Sequence, residues 1–313
     1  MSQTAIQIEG LIKSYRSTTG RIAAVDGLDL SVPSGNIHGF LGPNGAGKTT
    51  TLRLLLGLAR PNQGSMEMLG LPVPEKLTQV IDRVGALVEE PLFSRSLSGR
   101  RNLQLLAASI GRPKQAVDQV LDEVRLGKEA RRSYRRMTAA QQQRLGIAAA
   151  LLKDAELVLL DEPTDSLDPG GLADFRDTLR NLNSRGTTVL LASHDLAEVQ
   201  ELCSTVSIIG DGKLLAEGSV VDLVGEKLAR TRVEVSQPDR AEEILRGADY
   251  DVSREGAALV VQGHEHPEQI TRLLAEKGLY VSELSALRPD LHAYYLQLTG
   301  HEPRLDPREE ESA

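Results

Sequence analysis

The sequence predicts an α/β fold with a largely parallel sheet, and the first two thirds of the chain carry the patterns that indicate it. Two continuous apolar runs, "AELVLLD" (155–161) and "GTTVLLAS" (186–193), are typical of strands buried on both faces. A third apolar stretch, "NIHGFLG" (36–42), precedes a helical pattern in "GKTTTLRLLLGL" (47–58). Buried strands that alternate with helices indicate an α/β layer architecture.

Changes in this alternation of strands and helices predict the domain organisation. Residues 1–220 are predicted to form the main domain, in which about 95–152 has helical patterns without strands and forms an inserted helical subdomain. Residues 221–229 are predicted to be a linker and residues 230–300 a small C-terminal α+β domain whose last strand includes "YLQLT". The tail 301–313 lacks apolar periodicity, so it is predicted to be disordered.

Composition excludes several kinds of function. Aromatic residues make up 3% of the chain, there is no Trp and the net charge is −8, so no nucleic-acid partner is expected. Cys203 is the single cysteine, which excludes an intramolecular disulfide. The N-terminal stretch lacks the pattern of a secretory signal. No apolar run approaches the roughly 20 residues that span a bilayer, so we expect another chain to do any spanning.

A glycine-rich loop lies between the first apolar strand and its helix. The stretch "GPNGAGKTT" (42–50) matches the phosphate-binding pattern G-x-x-x-x-G-K-[ST] in its required strand–helix context. Glycines allow backbone N–H groups to approach phosphate oxygens, and a helix N-terminus adds positive potential. Lys48 is predicted to contact the β- and γ-phosphates and Thr49 to bind Mg²⁺. The predicted nucleotide-binding residues here are Gly42, Pro43, Asn44, Gly45, Ala46, Gly47, Lys48, Thr49 and Thr50.

Two carboxylates follow the next buried strand, in "LVLLDE" (157–162). Ligands of parallel sheets bind beyond the carboxyl ends of the strands, where Asp161 lies. We predict that Asp161 holds Mg²⁺ and that Glu162 orients and polarises the attacking water. The alternative is that both residues only cap the following helix.

Together these motifs resemble the nucleotide-binding subunit of an ATP-binding cassette (ABC) transporter over roughly residues 5–220. The resemblance implies ATP and Mg²⁺ as cofactors, a P-loop ATPase core and a second cassette subunit. It implies that Tyr15 of "KSY" (13–15) stacks on adenine and that Asp168 of "TDSLD" (164–168) lies at the dimer interface. It also implies that His194 of "SHD" (193–195) contacts the γ-phosphate and positions Glu162.

Further features resemble the branch of this family that drives bacitracin- and daunorubicin-type exporters. They are "VGALVEEPLF" (84–93), "QRLGIAAALL" and the C-terminal α+β domain. Glu89 aligns with a position where the family usually has Gln that touches Mg²⁺. A carboxylate suits a hard cation, so Glu89 is predicted to be a metal ligand, with Glu90 as the alternative.

The signature of the family is altered in this chain. The usual Leu-Ser-Gly-Gly-Gln aligns with Met137, Thr138, Ala139, Ala140 and Gln141. In the family this stretch covers the ATP bound to the other subunit, and alanine cannot adopt the positive-φ conformations of glycine cheaply. The stretch is also a capping box ahead of an apolar helix, so it predicts a well-started helix whether or not it binds ATP.

The resemblance implies the ATP-hydrolysing subunit of an exporter of a drug, antibiotic or lipid-like compound, working at the cytoplasmic face of the membrane with an integral-membrane subunit. The second cassette could be an identical chain or a different one that carries the glycine signature. Two alternatives remain. One is an ATP-binding regulatory module with little hydrolysis, and the other is a soluble ABC ATPase without a transport role.

Overall fold

The computed structural model describes residues 4–17, 20–89, 91, 93–224, 230–256, 258–262, 267–287 and 291–299. The chain divides into two compact units between Gly218 and Ser219. Within the described residues, no helix is long and apolar enough to cross a membrane.

The first unit combines an antiparallel sheet with a larger central sheet. Its strands are β1 (Thr4–Ser17), β2 (Gly20–Pro33), β3 (Ile37–Leu41), β4 (Gln63–Met68), β5 (Leu71–Val73), β6 (Val84–Leu87), β7 (Leu157–Asp161), β8 (Thr188–Ser193), β9 (Thr205–Gly210) and β10 (Lys213–Ser219). Its helices are α1 (Lys48–Leu55), α2 (Leu77–Val80), α3 (Gly99–Ser109), α4 (Lys114–Glu123), α5 (Ala139–Leu151), α6 (Pro169–Ser184) and α7 (Leu196–Leu202).

The central sheet positions the functional loops. Its strand order is β10-β9-β3-β8-β7-β6, and β9, β3, β8, β7 and β6 pair in parallel along that order. The residues of β3, β8 and β7 are almost all buried, which explains their continuous apolar runs. Because these three strands are neighbours, the loops that follow them meet at one edge of the sheet.

The N-terminal part of the chain departs from the predicted alternation of strands and helices. Strands β1 and β2 form a long antiparallel pair, and their sheet has the order β2-β1-β4-β5. The inward residues of this sheet, such as Ile6, Ile8 and Leu28, share one core with Phe40 and Leu52 of the central layer. Buried and exposed residues alternate in β2, as is typical of a strand whose sheet is covered on one face. This alternation is the sequence pattern that indicates the antiparallel sheet.

His38 is a buried polar residue of β3. It is 1% exposed, and its ring nitrogens lie 2.8 Å from the Thr205 hydroxyl and 2.9 Å from the Ser207 hydroxyl. Burial lowers the pKa of His38 to about 4, from an ordinary value of 6.5. The folded protein therefore keeps this histidine neutral under conditions in which an unfolded chain protonates it.

This burial predicts a loss of stability in mild acid. The unfolded chain binds the proton first as the pH falls through 6.5, so the free energy of unfolding should decrease between pH 6.5 and 4 by up to about 3 kcal/mol. Chemical denaturation across this range measures the effect. His38→Gln is expected to be less stable at pH 7 and to show a flatter pH dependence. A wild-type profile as flat as that of the variant would contradict the prediction.

Residues 95–152 contain helices α3, α4 and α5 and two short 3₁₀ turns at Glu129–Arg131 and Tyr134–Arg136. A backbone bridge between Ser98 and Ser133 joins the segment before α3 to the segment before α5. Helix α3 packs on α4, and α5 packs on β6. This layer therefore carries the start of α5, where the altered signature lies, as part of the first unit.

The second unit is an antiparallel sheet with helices. Its strands are β11 (Arg230–Val235), β12 (Asp251–Glu255), β13 (Ala258–Gln262) and β14 (Val281–Leu287), in the order β12-β13-β11-β14. Its helices are α8 (Val220–Val224), α9 (Pro238–Arg246), α10 (Pro267–Glu276) and α11 (Leu291–Thr299). Val233, Leu245, Leu259 and Ile270 belong to its core.

Two expectations differ from the structure in this part of the chain. The predicted linker 221–229 overlaps helix α8, and its residues 225–229 lie outside the described residues, as does the tail 301–313. The final strand prediction is wrong, because residues 291–299 form helix α11. Alternate positions of this helix are buried, at Leu291, Ala293 and Tyr295. Its sequence therefore shows the two-residue period that is typical of a strand.

Candidate functional site

The loop between β3 and α1 has a backbone that requires glycine at particular positions. A Cβ atom on Gly42 would lie 2.6 Å from the Ile209 carbonyl oxygen. Gly47 has φ +108°, and a Cβ there would lie 2.4 Å from the Ala24 carbonyl oxygen. Only glycine tolerates this combination of conformation and close approach. The loop is therefore folded tightly against β9 and the first half of β2 before helix α1 begins at Lys48.

Lys48 lies in the concavity of this loop and is 5% exposed. Its Nζ donates to the carbonyl oxygens of Gly42 at 2.5 Å and Pro43 at 3.2 Å. The same Nζ lies 3.0 Å from Glu162 Oε1. The ammonium group thus joins the loop after β3 to the carboxylate after β7.

Glu162 is held from two sides at the end of β7. The ring Nδ1 of His194 lies 2.9 Å from Glu162 Oε2, and the His194 backbone N–H donates to the same oxygen at 3.2 Å. Burial raises the pKa of Glu162, but the hydrogen bond from His194 and the charge of Lys48 outweigh it and hold the pKa below its ordinary value. The hydrogen bond to Glu162 raises the pKa of His194. Glu162 is therefore an ionised carboxylate between two basic groups.

Asp161 presents an unsatisfied oxygen beside Thr49. Burial raises the pKa of Asp161, and a hydrogen bond with the Thr49 side chain partly offsets this effect. Its Oδ1 is buried and has no hydrogen-bond partner among the described residues. A buried oxygen without a partner is unfavourable unless a ligand satisfies it. A carboxylate and a hydroxyl are suitable donors for Mg²⁺, so this pair fits the predicted metal.

An open pocket joins the loop to the predicted adenine platform. Its lining consists of Tyr15, Ala24, Pro43, Asn44, Gly45, Gly47, Lys48, Thr49, Thr50 and Glu162. Tyr15 is 40% exposed, and Lys13 Nζ lies 4.9 Å from the centroid of its ring. Among the predicted loop residues, Gly42 and Ala46 belong to the loop but not to this lining. The sequence does not indicate Ala24 as a lining residue, because an alanine carries no functional group.

Glu89 does not contact Thr49 or Asp161 in the structure. It adopts φ +64° and forms an ion pair with Arg53 of helix α1. Its predicted role as a metal ligand stays a prediction, and the alternative, Glu90, lies outside the described residues. Arg53 was not singled out from the sequence, since an arginine on the exposed side of a helix is common.

The altered signature forms a helix start. Thr138 is the N-cap of α5: its Oγ1 accepts from the Gln141 N–H at 3.2 Å, and Gln141 Oε1 accepts from the Thr138 N–H at 3.1 Å. The predicted capping box is confirmed. Ala139 and Ala140 occupy the first positions of the helix, outside the lining of the loop pocket.

The segment after Glu162 contributes two further acids. Asp168 caps α6, since its Oδ1 accepts from the Gly171 N–H at 2.8 Å. Asp165 was missed, although it lies in the same "TDSLD" stretch. Its carboxylate, Glu162 and His194 have oxygen or nitrogen atoms within 4.8 Å of one another.

Strand β3, the glycine loop and the N-terminus of α1 surround the buried Lys48. The carboxylate of Glu162, which follows the parallel strand β7 on the far side of β8, faces its ammonium group. This combination defines a P-loop nucleotide-binding cassette, with the ABC arrangement of an antiparallel sheet and a helical layer around the core.

Comparison with known proteins agrees with this class. The sequence model of the family "ABC transporter" matches residues 25–165. The bacitracin transport ATP-binding protein BcrA of Bacillus licheniformis is 35% identical, over 95% of this chain and 98% of BcrA. The daunorubicin resistance ATP-binding protein DrrA3 of Streptomyces coeruleorubidus is 35% identical, over 97% of this chain and 99% of DrrA3.

Solved structures show the same fold. The dimeric post-hydrolysis structure of the ATP-binding cassette MJ0796, bound to ADP and Pi, matches with a TM-score of 0.64 and 22% identity, over 69% of this chain and 99% of that one. The chain belongs to the ABC transporter family and is an ATPase of that family.

Proposed function

We propose that this chain is the ATP-hydrolysing subunit of an exporter for a drug, antibiotic or lipid-like compound, and that it works with a separate integral-membrane subunit. The observation that carries the proposal is the similarity to BcrA and DrrA3 over nearly the whole of all three chains, including the second unit. The site around Lys48, Glu162 and His194 supports hydrolysis as the activity. The chain would lie at the cytoplasmic face of the membrane.

The phosphate loop would bind the triphosphate of ATP. Its backbone N–H groups and the N-terminus of α1 favour anions. Lys48 would exchange its contacts with Gly42, Pro43 and Glu162 for the β- and γ-phosphates. Tyr15, an exposed residue of the pocket lining, would stack on adenine. Binding of ATP therefore separates the Lys48–Glu162 ion pair and frees the carboxylate.

Thr49 and Asp161 would hold Mg²⁺. When bound, the ion would neutralise part of the phosphate charge. Glu162 would accept the proton of the attacking water, because it is ionised and adjacent to the loop. His194 would keep Glu162 oriented through the 2.9 Å contact and extend toward the γ-phosphate. These roles give each of the four half-buried polar residues a part in holding the metal or in activating the water.

Two cassettes would close around two nucleotides, with Asp168 at the interface and Thr138–Gln141 facing the ATP of the other subunit. The chain keeps the residue types of the family at Lys48, Asp161, Glu162 and His194. Its departure is at Ala139 and Ala140, at the start of α5, which would face the ATP of the partner. A partner with the glycine signature would support hydrolysis on this chain, while ATP bound by the partner would turn over slowly. We therefore propose an asymmetric pair of sites.

Restoring the glycines tests this asymmetry. We expect Ala139→Gly with Ala140→Gly to raise phosphate release by the assembled transporter up to about 2-fold, because two backbone N–H groups regain access to phosphate and the slow site on the partner would then turn over like the site on this chain. Ala149→Gly, near the other end of α5, controls for the weakened helix. Unchanged turnover in the glycine variant would show that these alanines limit neither site.

A binding module with little hydrolysis is the second proposal, and Ala139 and Ala140 are the observation in its favour.

The test of the transport role is co-expression with the multi-span subunit of the same transporter. We expect the chain to sediment with membranes and its ATPase activity to respond to the transported compound. A chain that stays in the supernatant, with unchanged activity, would contradict the transport role.

A further inference from the structure

Six arginines form an exposed basic surface on the first unit. They are Arg95, Arg101, Arg131, Arg132, Arg135 and Arg136, and every one is exposed. We call this set the arginine surface. Residues 95–136 as a whole contain eleven basic and four acidic side chains, although the complete chain has a net charge of −8. The positive charge is therefore concentrated on one part of an otherwise acidic protein.

Folding brings the two segments of the arginine surface together. The Arg135 N–H donates to the Arg95 carbonyl oxygen at 3.2 Å, and the Gly99 N–H donates to the Arg132 carbonyl oxygen at 3.1 Å. An antiparallel backbone bridge lies between these two contacts. The segments before α3 and before α5 thus run side by side, and their like charges are fixed close together by the backbone.

These charges are not compensated by neighbouring acids. In the part of the chain that the structure describes, no ion pair includes any residue of the arginine surface. Other arginines nearby do pair: Arg100 with Asp118, and Arg125 with Asp174. Like charges held together without partners are unfavourable in the isolated protein, and an anionic partner relieves the repulsion.

An apolar side chain lies beside the arginines on helix α3. Leu105 is 48% exposed and follows Arg101 by four positions, so both project from the same face of the helix. Guanidinium groups bind phosphates in a bidentate manner, and an adjacent apolar group is typical of contacts with the interface of a membrane. This combination favours a lipid surface over an acidic polypeptide.

We propose that the arginine surface binds the anionic headgroups of membrane phospholipids. The proposal rests on the proposed function in that a transporter subunit works beside a membrane. Each basic residue near an anionic leaflet contributes about 1 kcal/mol, so six are enough for a measurable peripheral contact. The acidic remainder of the protein is repelled by the same leaflet, so the contact also orients the chain.

Sedimentation with vesicles tests the proposal. We expect the purified full-length chain to bind phosphatidylcholine vesicles only when they contain phosphatidylglycerol, and to be released by salt. Replacing Arg131, Arg132, Arg135 and Arg136 with Gln should weaken binding by about 1,000-fold. The control replaces four other exposed basic residues with Gln, changing the net charge equally: Arg60, Lys76, Arg272 and Lys277.

The results of this experiment distinguish a lipid contact from an effect of net charge and from general anion binding. Equal losses in the two variants would reduce the effect to net charge and overturn the assigned surface. Competition by inorganic phosphate or polyglutamate as strong as that by phosphatidylglycerol vesicles would show general anion binding instead of a lipid contact. Absence of vesicle binding by the wild type would also overturn the proposal. It would leave the proposed function untouched, because ATP hydrolysis by the detergent-purified transporter is measured without vesicles.

Discussion

Replacing Glu162 with Gln is expected to lower steady-state phosphate release by about 10²- to 10⁴-fold while ATP binding is kept or tightened. Glutamine has the size of glutamate but cannot accept a proton at neutral pH. It also removes the charge that lies 3.0 Å from Lys48 Nζ, so the lysine no longer has to leave an ion pair before it contacts phosphate. Turnover and affinity for a fluorescent ATP analogue should therefore change in opposite directions.

Glu156 offers a matched control for this variant. It lies just before β7 and forms an exposed ion pair with Arg83, so Glu156→Gln removes a carboxylate at the other end of the same strand without touching the loop pocket. We expect near wild-type turnover from this control. Wild-type turnover by Glu162→Gln itself would show that another group activates the water.

Replacing Lys48 with Met is expected to weaken ATP binding by about 100-fold. The variant keeps the length of the side chain but loses the ammonium group that lies inside the loop. Each charge-assisted hydrogen bond to phosphate contributes about 1.5–3 kcal/mol, which accounts for an effect of this size. Titration with a fluorescent ATP analogue measures the affinity directly.

Lys153 provides the comparison for this second variant. Its Nζ donates to the Ile81 carbonyl oxygen at 2.8 Å, so Lys153→Met also removes a lysine that binds a backbone carbonyl. It lies outside the loop pocket, and ATP affinity should stay at the wild-type value. Equal affinities of Lys48→Met and wild type would contradict the placement of the triphosphate at this loop.

The central sheet could be predicted from sequence because its strands are buried on both faces. The apolar runs that end at Leu41, Asp161 and Ser193 correspond to β3, β7 and β8, and the loops after them carry the site. The order of these strands in the sheet, β3-β8-β7, was not predicted from the sequence. In elements with one buried face, the period of the apolar residues distinguishes strands from helices less clearly. For this reason the sequence did not predict the sheet of β1 and β2 or the helical form of α11.

Several contacts of the site depend on geometry that a linear motif does not contain. The pairing of Glu89 with Arg53 requires the turn after β6, where Glu89 has positive φ. Asp165 lies near His194 because of the backbone path of the segment that follows β7. Residue type and spacing indicated Lys48 and Glu162, whereas the ion pair between them appears only when both loops are folded.

Steady-state phosphate release tests most directly the proposed dependence of hydrolysis on partner subunits. It is measured on the wild-type chain and on Glu162→Gln, alone and assembled with the membrane and cassette subunits. We expect activity from the wild type only in the assembly, and a phosphate release lowered by about 10²- to 10⁴-fold from Glu162→Gln in the assembly. That result would mean that hydrolysis on this chain depends on the glycine signature of a partner. Equal activity of the wild type alone and in the assembly would contradict this dependence and show that Ala139 and Ala140 are tolerated in a homodimer.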